Sequence, residues 1–107
     1  MIAYEDWQKI EVRIGKIISA ERIEKADKLL KLEVDFKDDK KIIVSGIALK
    51  YAPEDLIEKE MPFITNLEPR EIFGIITHGM ILAAHDKDGG PVLMHPDSEI
   101  EPGSKIS

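Results

Sequence analysis

The sequence predicts an all-β fold: a small five-stranded barrel with one short helix between the third and fourth strands and a C-terminal extension. Three observations predict it. Short apolar runs alternate with polar residues at a period of two. Turn-forming residues separate these runs at close intervals. A glycine interrupts the first run, as a corner in a closing sheet requires. With 107 residues and 43% hydrophobic content, the chain fits one domain, residues 1–107, built on one modest core.

Residues 9–22 form the first predicted strand. Ile10, Val12 and Ile14 share one face, Glu11 and Arg13 the other, and Gly15 marks a bulge or bend. Residues 28–36 alternate most cleanly, with Leu30, Leu32, Val34 and Phe36 opposite Lys31, Glu33 and Asp35. Lys37-Asp38-Asp39-Lys40 is a polar turn, and the β-branched run Lys41 to Ile47 is the third strand. Pro53 to Lys59 reads as a short helix, with proline at its first position and acids early. Met61 to Leu67 is the fourth strand, its start held to a sheet edge by Pro62. Pro69-Arg70-Glu71 reads as a turn and Gly79 to Ala84 as the fifth strand. Asp88-Gly89-Gly90 turns into a short strand, Pro91 to His95, and residues 96–107 read as irregular. Five strands with a helix after the third is the order of the OB-fold.

Charge and composition exclude several classes. The N-terminal Met1 to Gly15 stretch has no apolar core of the signal-peptide kind, and no apolar run reaches membrane-spanning length. There are no cysteines, hence no disulfides and no thiolate zinc site. A cytoplasmic protein without a membrane partner is expected. Phosphate-cradling, nucleophile-elbow and zinc-protease motifs are absent, so neither catalysis nor a cofactor is expected. His85, Asp86 and Asp88 fit neither zinc nor calcium spacing and read as loop polarity. Net charge is −6, awkward for a nucleic-acid binder, but it is unevenly spread. Residues 1–59 sum to −1, residues 60–107 to −5, and Lys9 to Lys31 to +3. Any basic surface therefore comes from the first half. Phe36 and Phe63 read as core, while Tyr51 and Phe73 fall in connections, leaving no aromatic platform on the second strand. Binding of a nucleic acid by shape and backbone is expected ahead of base stacking.

A set of segments points to one family. Arg13-Ile14-Gly15-Lys16-Ile17, Ala26-Asp27-Lys28-Leu29-Leu30-Lys31-Leu32 and Ile43-Val44-Ser45-Gly46-Ile47 resemble the first half of the tRNA-binding domain family. Tyr51-Ala52-Pro53-Glu54-Asp55-Leu56, Asn66-Leu67-Glu68-Pro69-Arg70, Gly79 to Ala84 and Pro102 to Ile106 resemble the rest. Each motif alone is weak; together, in order from about Trp7 onward, they are specific. The family includes the C-terminal domain of methionyl-tRNA synthetases, a free-standing structure-specific tRNA-binding protein, and the tRNA-binding region of endothelial-monocyte-activating polypeptide. The resemblance implies an OB barrel that pairs as a homodimer, grips the outside of folded tRNA, and stands alone or serves a methionyl-tRNA synthetase. A CsaA-like peptide-binding secretion chaperone of the same fold is the alternative. The chain departs from the family at Ile23-Glu24, where His-Pro is common. It carries Glu68 and Glu71 where bases are common, and Thr77-His78 where Ser with Glu or Gln is common.

Seven residues are candidates for tRNA contact. Arg70 reads as a phosphate or sugar ligand, or as an ion-pair partner of Glu68 or Glu71. Lys28 and Lys31 reach phosphate or decorate a solvated sheet face. Ser45 hydrogen-bonds RNA or caps a turn with Gly46, and Asn66 touches ligand or organises the following turn. Thr77 keeps a hydroxyl where the family has serine. Met80 sits on an alternating strand, a core position, yet the resemblance places it near the binding surface. A homodimer is also expected on physical grounds. The chain is short, Tyr4 and Trp7 offer bulky apolar area, and the tail with Ile100 and Ile106 must lie on something. The competing arrangement has Trp7 and the tail closing the barrel of their own chain.

Overall fold

The computed structural model describes residues 1–107. Its elements are helix α1 (Tyr4–Gln8) and strands β1 (Val12–Ile23), β2 (Ala26–Asp35), β3 (Lys40–Ser45), β4 (Glu60–Ile64) and β5 (Arg70–Ile72). Strands β6 (Ile75–Thr77), β7 (Met80–Ile81), β8 (Ala83–His85), β9 (Pro91–Leu93) and β10 (Lys105–Ile106) follow. The main sheet runs β3-β2-β1-β4-β7, with β10 added on β1. Two small hairpins, β5-β6 and β8-β9, stand apart.

β1 belongs to both halves of this sheet. Val12 to Lys16 pair with β4, and Lys16 to Ile23 pair with β2. The corner is made where the glycine predicted it. A Cβ on Gly15 would lie 2.4 Å from Val34 Cγ1 and 2.7 Å from Phe36 Cε1, so β2 packs directly onto bare backbone. The register then slips between Ile17 and Ser19, leaving Ile18 as a bulge that adds bend and twist. Inward positions of β1 are Gly15 and Ile17, not Val12 and Ile14. Arg13 lies over the Phe36 ring at 5.7 Å and so shares the Gly15 side, while the buried Val12 and Ile14 form an outer face.

The core follows the β2 alternation closely. Leu30, Leu32, Val34 and Phe36 are each fully buried, with Ile43, Met61 and Phe63 from β3 and β4. Phe36 and Phe63 meet edge to face at 5.6 Å between centroids.

The predicted helix over 53–59 shortens to a 3-10 turn, Pro53–Asp55. Two competing demands explain this. Leu56 plugs the core at 2% exposure, and Glu58 then takes a left-handed φ of 68°. That reversal lets Glu58 N–H donate to Ile17 O and Lys59 O accept from Ile17 N–H, at 2.7 and 3.0 Å. The segment is spent tying the two halves of β1. Pro62 sits opposite Ile14, where β7 barely reaches, and its carbonyl accepts from Leu82 N–H at 3.0 Å.

The predicted fifth strand divides at Leu82 into β7, which joins β4, and β8, which joins β9. In the β8-β9 turn the Asp86 carboxylate accepts from the Asp88 and Gly90 N–H groups, both at 2.9 Å. Those bonds hold its pKa below the ordinary carboxylate value. Asp86 thus has a turn-forming role of its own.

The tail is ordered against its own barrel. Gly103 N–H donates to Ile14 O at 2.7 Å, Ser104 O accepts from Ile14 N–H at 2.9 Å, and Val12 pairs with Ile106. Arg13 Nε donates to Gly103 O at 3.0 Å, and Glu101 pairs with Lys37, whose pKa it raises. The irregular reading of 96–107 is thereby corrected for Lys105–Ile106, and the tail finds its cover in cis.

Between β3 and β7 the sheet does not close by a ladder. Thr77 to Gly79 fill the gap instead: Val44 N–H donates to Thr77 Oγ1 at 2.9 Å and His78 N–H to Ile42 O at 2.9 Å. Gly79 has φ of 138°, and a Cβ there would sit 2.5 Å from Ile64 O. Gly79→Ala is therefore expected to cost about 3 kcal/mol, seen as a fall in the urea midpoint of unfolding with an unchanged slope.

Candidate nucleic-acid interface

The gap between β3 and β7 opens outward into a cleft of about 880 Å³. Its floor is Val44, Ser45 and Gly46 at the end of β3. The β5-β6 hairpin forms one wall with Arg70, Ile72 and Thr77, and Met80 to Ala83 with His85 form the other. Four of the seven predicted site residues, Ser45, Arg70, Thr77 and Met80, line this one cleft.

Their environments differ. Arg70 is exposed and makes no ion pair, so neither Glu68 nor Glu71 neutralises it. It begins β5 opposite Thr77, which corrects the turn reading of Pro69-Arg70-Glu71. Met80 is 46% exposed, because the alternation puts its neighbour Ile81 into the core. Ser45 is buried to 7%, yet its hydroxyl bonds to no protein group and keeps contact with solvent at the cleft floor. Thr77 is committed to the fold: its hydroxyl accepts from Val44 N–H and reaches Gly79 O at 3.4 Å.

The other three lie elsewhere. Asn66 neither touches the cleft nor organises the turn after it. Its Oδ1 accepts from Glu11 N–H at 2.9 Å and its Nδ2 donates to Lys9 O at 2.7 Å, clamping the approach to β1. Thr65 adds a bond to the Glu11 carboxylate at 2.5 Å. Lys31 pairs with Glu21 at 3.5 Å on the outer face of β1 and β2. Lys28 is exposed and unpaired beside the cleft residue Leu29.

Lys28 has company that the sequence did not single out. Arg22 Nη1 donates to Ala48 O at 3.4 Å, and Ala48 N–H donates to Lys28 O at 3.1 Å. These bonds join the β1-β2 hairpin end to the loop after β3. Arg22, Lys25, Lys28 and Lys50 are therefore gathered at one end of the barrel, all exposed and none in an ion pair. Tyr51 stiffens this end, its hydroxyl accepting from Leu93 N–H at 3.1 Å. Loop positions carry no periodicity, so only the positive net charge of Lys9 to Lys31 hinted at the cluster.

The hairpin wall has an unusual tip. Ile72 pairs with Ile75, leaving Phe73 and Gly74 as a two-residue turn with φ of 49° and 79°. This is the type I′ pattern, which favours Asn, Asp or Gly at its first position. A phenylalanine there costs about 1 kcal/mol.

Comparison with known proteins places these features in context. A family model described as "Putative tRNA binding domain" matches residues 12–105. The methionine–tRNA ligase of Archaeoglobus fulgidus is 46% identical over 105 residues, covering 98% of this chain and 16% of that enzyme. The chain thus spans about a sixth of the length of such ligases. Among solved structures, a MetRS-related protein from Pyrococcus horikoshii superposes with a TM-score of 0.95 at 32% identity, covering 100% of this chain and 98% of that one. The chaperone CsaA from Bacillus anthracis superposes with a TM-score of 0.91 at 30% identity, covering 100% and 99%.

The clamp and the free arginine predict opposite phenotypes. Asn66→Ala is expected to lower unfolding free energy by about 1–2 kcal/mol, since two backbone partners are lost. Arg70→Ala is expected to leave it within about 0.5 kcal/mol of the parent. Paired thermal melts of the two variants check both.

Proposed function

The chain belongs to the tRNA-binding domain family, and from that premise we propose that it grips folded tRNA through shape and backbone, as a homodimer with no catalysis of its own. It acts either alone or beside a methionyl-tRNA synthetase in the cytoplasm. The observation that carries this is the unpaired Arg70 on a cleft with a free Ser45 hydroxyl, with the unpaired Arg22, Lys25, Lys28 and Lys50 at the end of the barrel that meets the cleft at Leu29. Exposed cations without carboxylate partners are what phosphate needs, and hydroxyls supply the hydrogen bonds that hold register on a backbone. Met80 contributes apolar contact to a sugar or base face beside Arg70. Thr77 acts indirectly, by fixing the β5-β6 hairpin to β3, and Asn66 serves the fold. Lys31 lends its charge only when Glu21 releases it.

Net charge argues for pairing. One copy offers four exposed cations at one end, interspersed with the exposed Glu24 and Asp27, on an acidic body. Two copies side by side double the phosphate contacts and raise avidity without any strong single site. Tyr4 on α1 and Ile2 just before it are 70% and 71% exposed, which leaves the N-terminal segment as the apolar element for a second copy to cover. The peptide-binding reading of the CsaA neighbour is favoured by one feature, the apolar lining from Leu67, Ile72, Ile81 and Leu82.

Titration with folded tRNA, a single-stranded RNA of equal length and an extended apolar peptide separates these readings. Folded tRNA should win by a wide margin. Equal competition by single-stranded RNA sinks shape recognition, and preference for the peptide sinks the RNA reading. Arg70→Ala should weaken tRNA binding by about 1–2 kcal/mol and reduce the salt slope by about one. Sedimentation at micromolar concentration should show a species of twice the chain mass. A single-chain species that still binds tRNA tightly removes the dimer and the avidity argument with it.

A further inference from the structure

We propose that Phe73 is a stacking residue for one unpaired base of the bound RNA, an inference that rests on the tRNA-binding reading above. The aromatic ring is 64% exposed at the tip of the β5-β6 hairpin. It takes no part in an aromatic pair or a cation–π contact, both of which involve other rings. Its backbone occupies the left-handed region at φ of 49°, where Asn, Asp or Gly would sit without strain. The position therefore gives up turn stability and exposes most of an apolar ring to solvent. A cost carried at an exposed tip points to something that binds there.

The surroundings identify what binds. Arg70 starts the same hairpin, three residues away, roughly 10 Å along an extended strand. That is the reach from a phosphate to a neighbouring base in one RNA strand. Glu71 projects from the opposite face of the same strand and is exposed, so phosphate is disfavoured on that side of the finger. Arg70 and Glu71 together give the finger no net charge, so an anionic lipid surface has no purchase there. A flat neutral base tethered to a phosphate at Arg70 satisfies both ends of the hairpin. One ring reads one base, which adds to recognition of folded shape without turning the protein into a binder of any single strand.

The test uses the full chain and four substitutions at Phe73, each titrated with folded tRNA. Phe73→Ala and Phe73→Leu should weaken binding about tenfold, and Phe73→Trp should restore it. Tryptophan at the tip should also lose fluorescence on adding tRNA, over the signal of Trp7 in the parent. Phe73→Asn should raise the melting temperature by relieving the turn while binding tRNA about tenfold more weakly. That combination separates lost contact from lost folding. Parent-like binding by Phe73→Ala, or by Phe73→Leu, overturns the stacking role while leaving the tRNA reading intact. If the parent itself fails to bind tRNA, both fall. If the substitutions change capture of the apolar peptide and not of tRNA, the finger serves peptides and the proposal is wrong.

Discussion

The close approach of β2 to the bare backbone of Gly15 is the constraint on which the barrel depends. A side chain there would meet Val34 and Phe36, both fully buried. Without that contact β1 could not turn from β4 to β2 within one residue, at Lys16. The Ile18 bulge, the Leu56 plug and the Glu58 reversal all serve the same corner. The cleft follows from it as well. A sheet curled this tightly leaves β3 and β7 facing each other without a ladder, and the Thr77–Gly79 segment bridges them at the inner end only. What remains open on the outer side is the candidate binding surface.

Most of the barrel was legible because period-two patterns report burial directly. The alternation sets Leu30, Leu32, Val34 and Phe36 on one face, and all four are fully buried. Gly15 marked the bend because only glycine fits there. Failures fall where tertiary bonds outrank local preference. The 53–59 segment has good helix ends but gives its backbone to Ile17. Ile10, Val12 and Ile14 alternate well, yet that pattern cannot say which face turns inward, and Arg13 takes the inner end over Phe36. Short strands of two or three residues, such as β5, β6 and β10, carry too few positions to show a period at all.

The site was half legible. Ser45, Arg70, Thr77 and Met80 converge on one cleft although they come from distant parts of the chain. Asn66 shows the limit: an amide that bonds backbone some 55 residues away leaves no local signature. The grouping of Arg22, Lys25 and Lys50 has no sequence signature for the same reason, since only the fold brings the hairpin end and the following loop together. Phe73 reads in the sequence as a connecting residue, and its left-handed φ and exposure appear only in the folded chain. Charge is sorted along the same lines. Five of the eight acids of the second half sit on the tail and the β8-β9 turn, where Glu101 holds Lys37 and Asp86 caps backbone, while Glu60, Glu68 and Glu71 lie on or beside β4 and β5.

The stitch between β1 and the tail bears on the order in which the chain can assemble. Val12 pairs with Ile106, a contact that closes nearly the whole sequence into one loop. Such distant contacts are entropically expensive and form late. Until residues 103–106 emerge from the ribosome, the outer edge of β1 at Val12 to Ile14 lies open, with its carbonyl and amide groups unpaired. A nascent chain is thus complete in its core before it is complete at its edge. The strand that seals β1 is only two residues long.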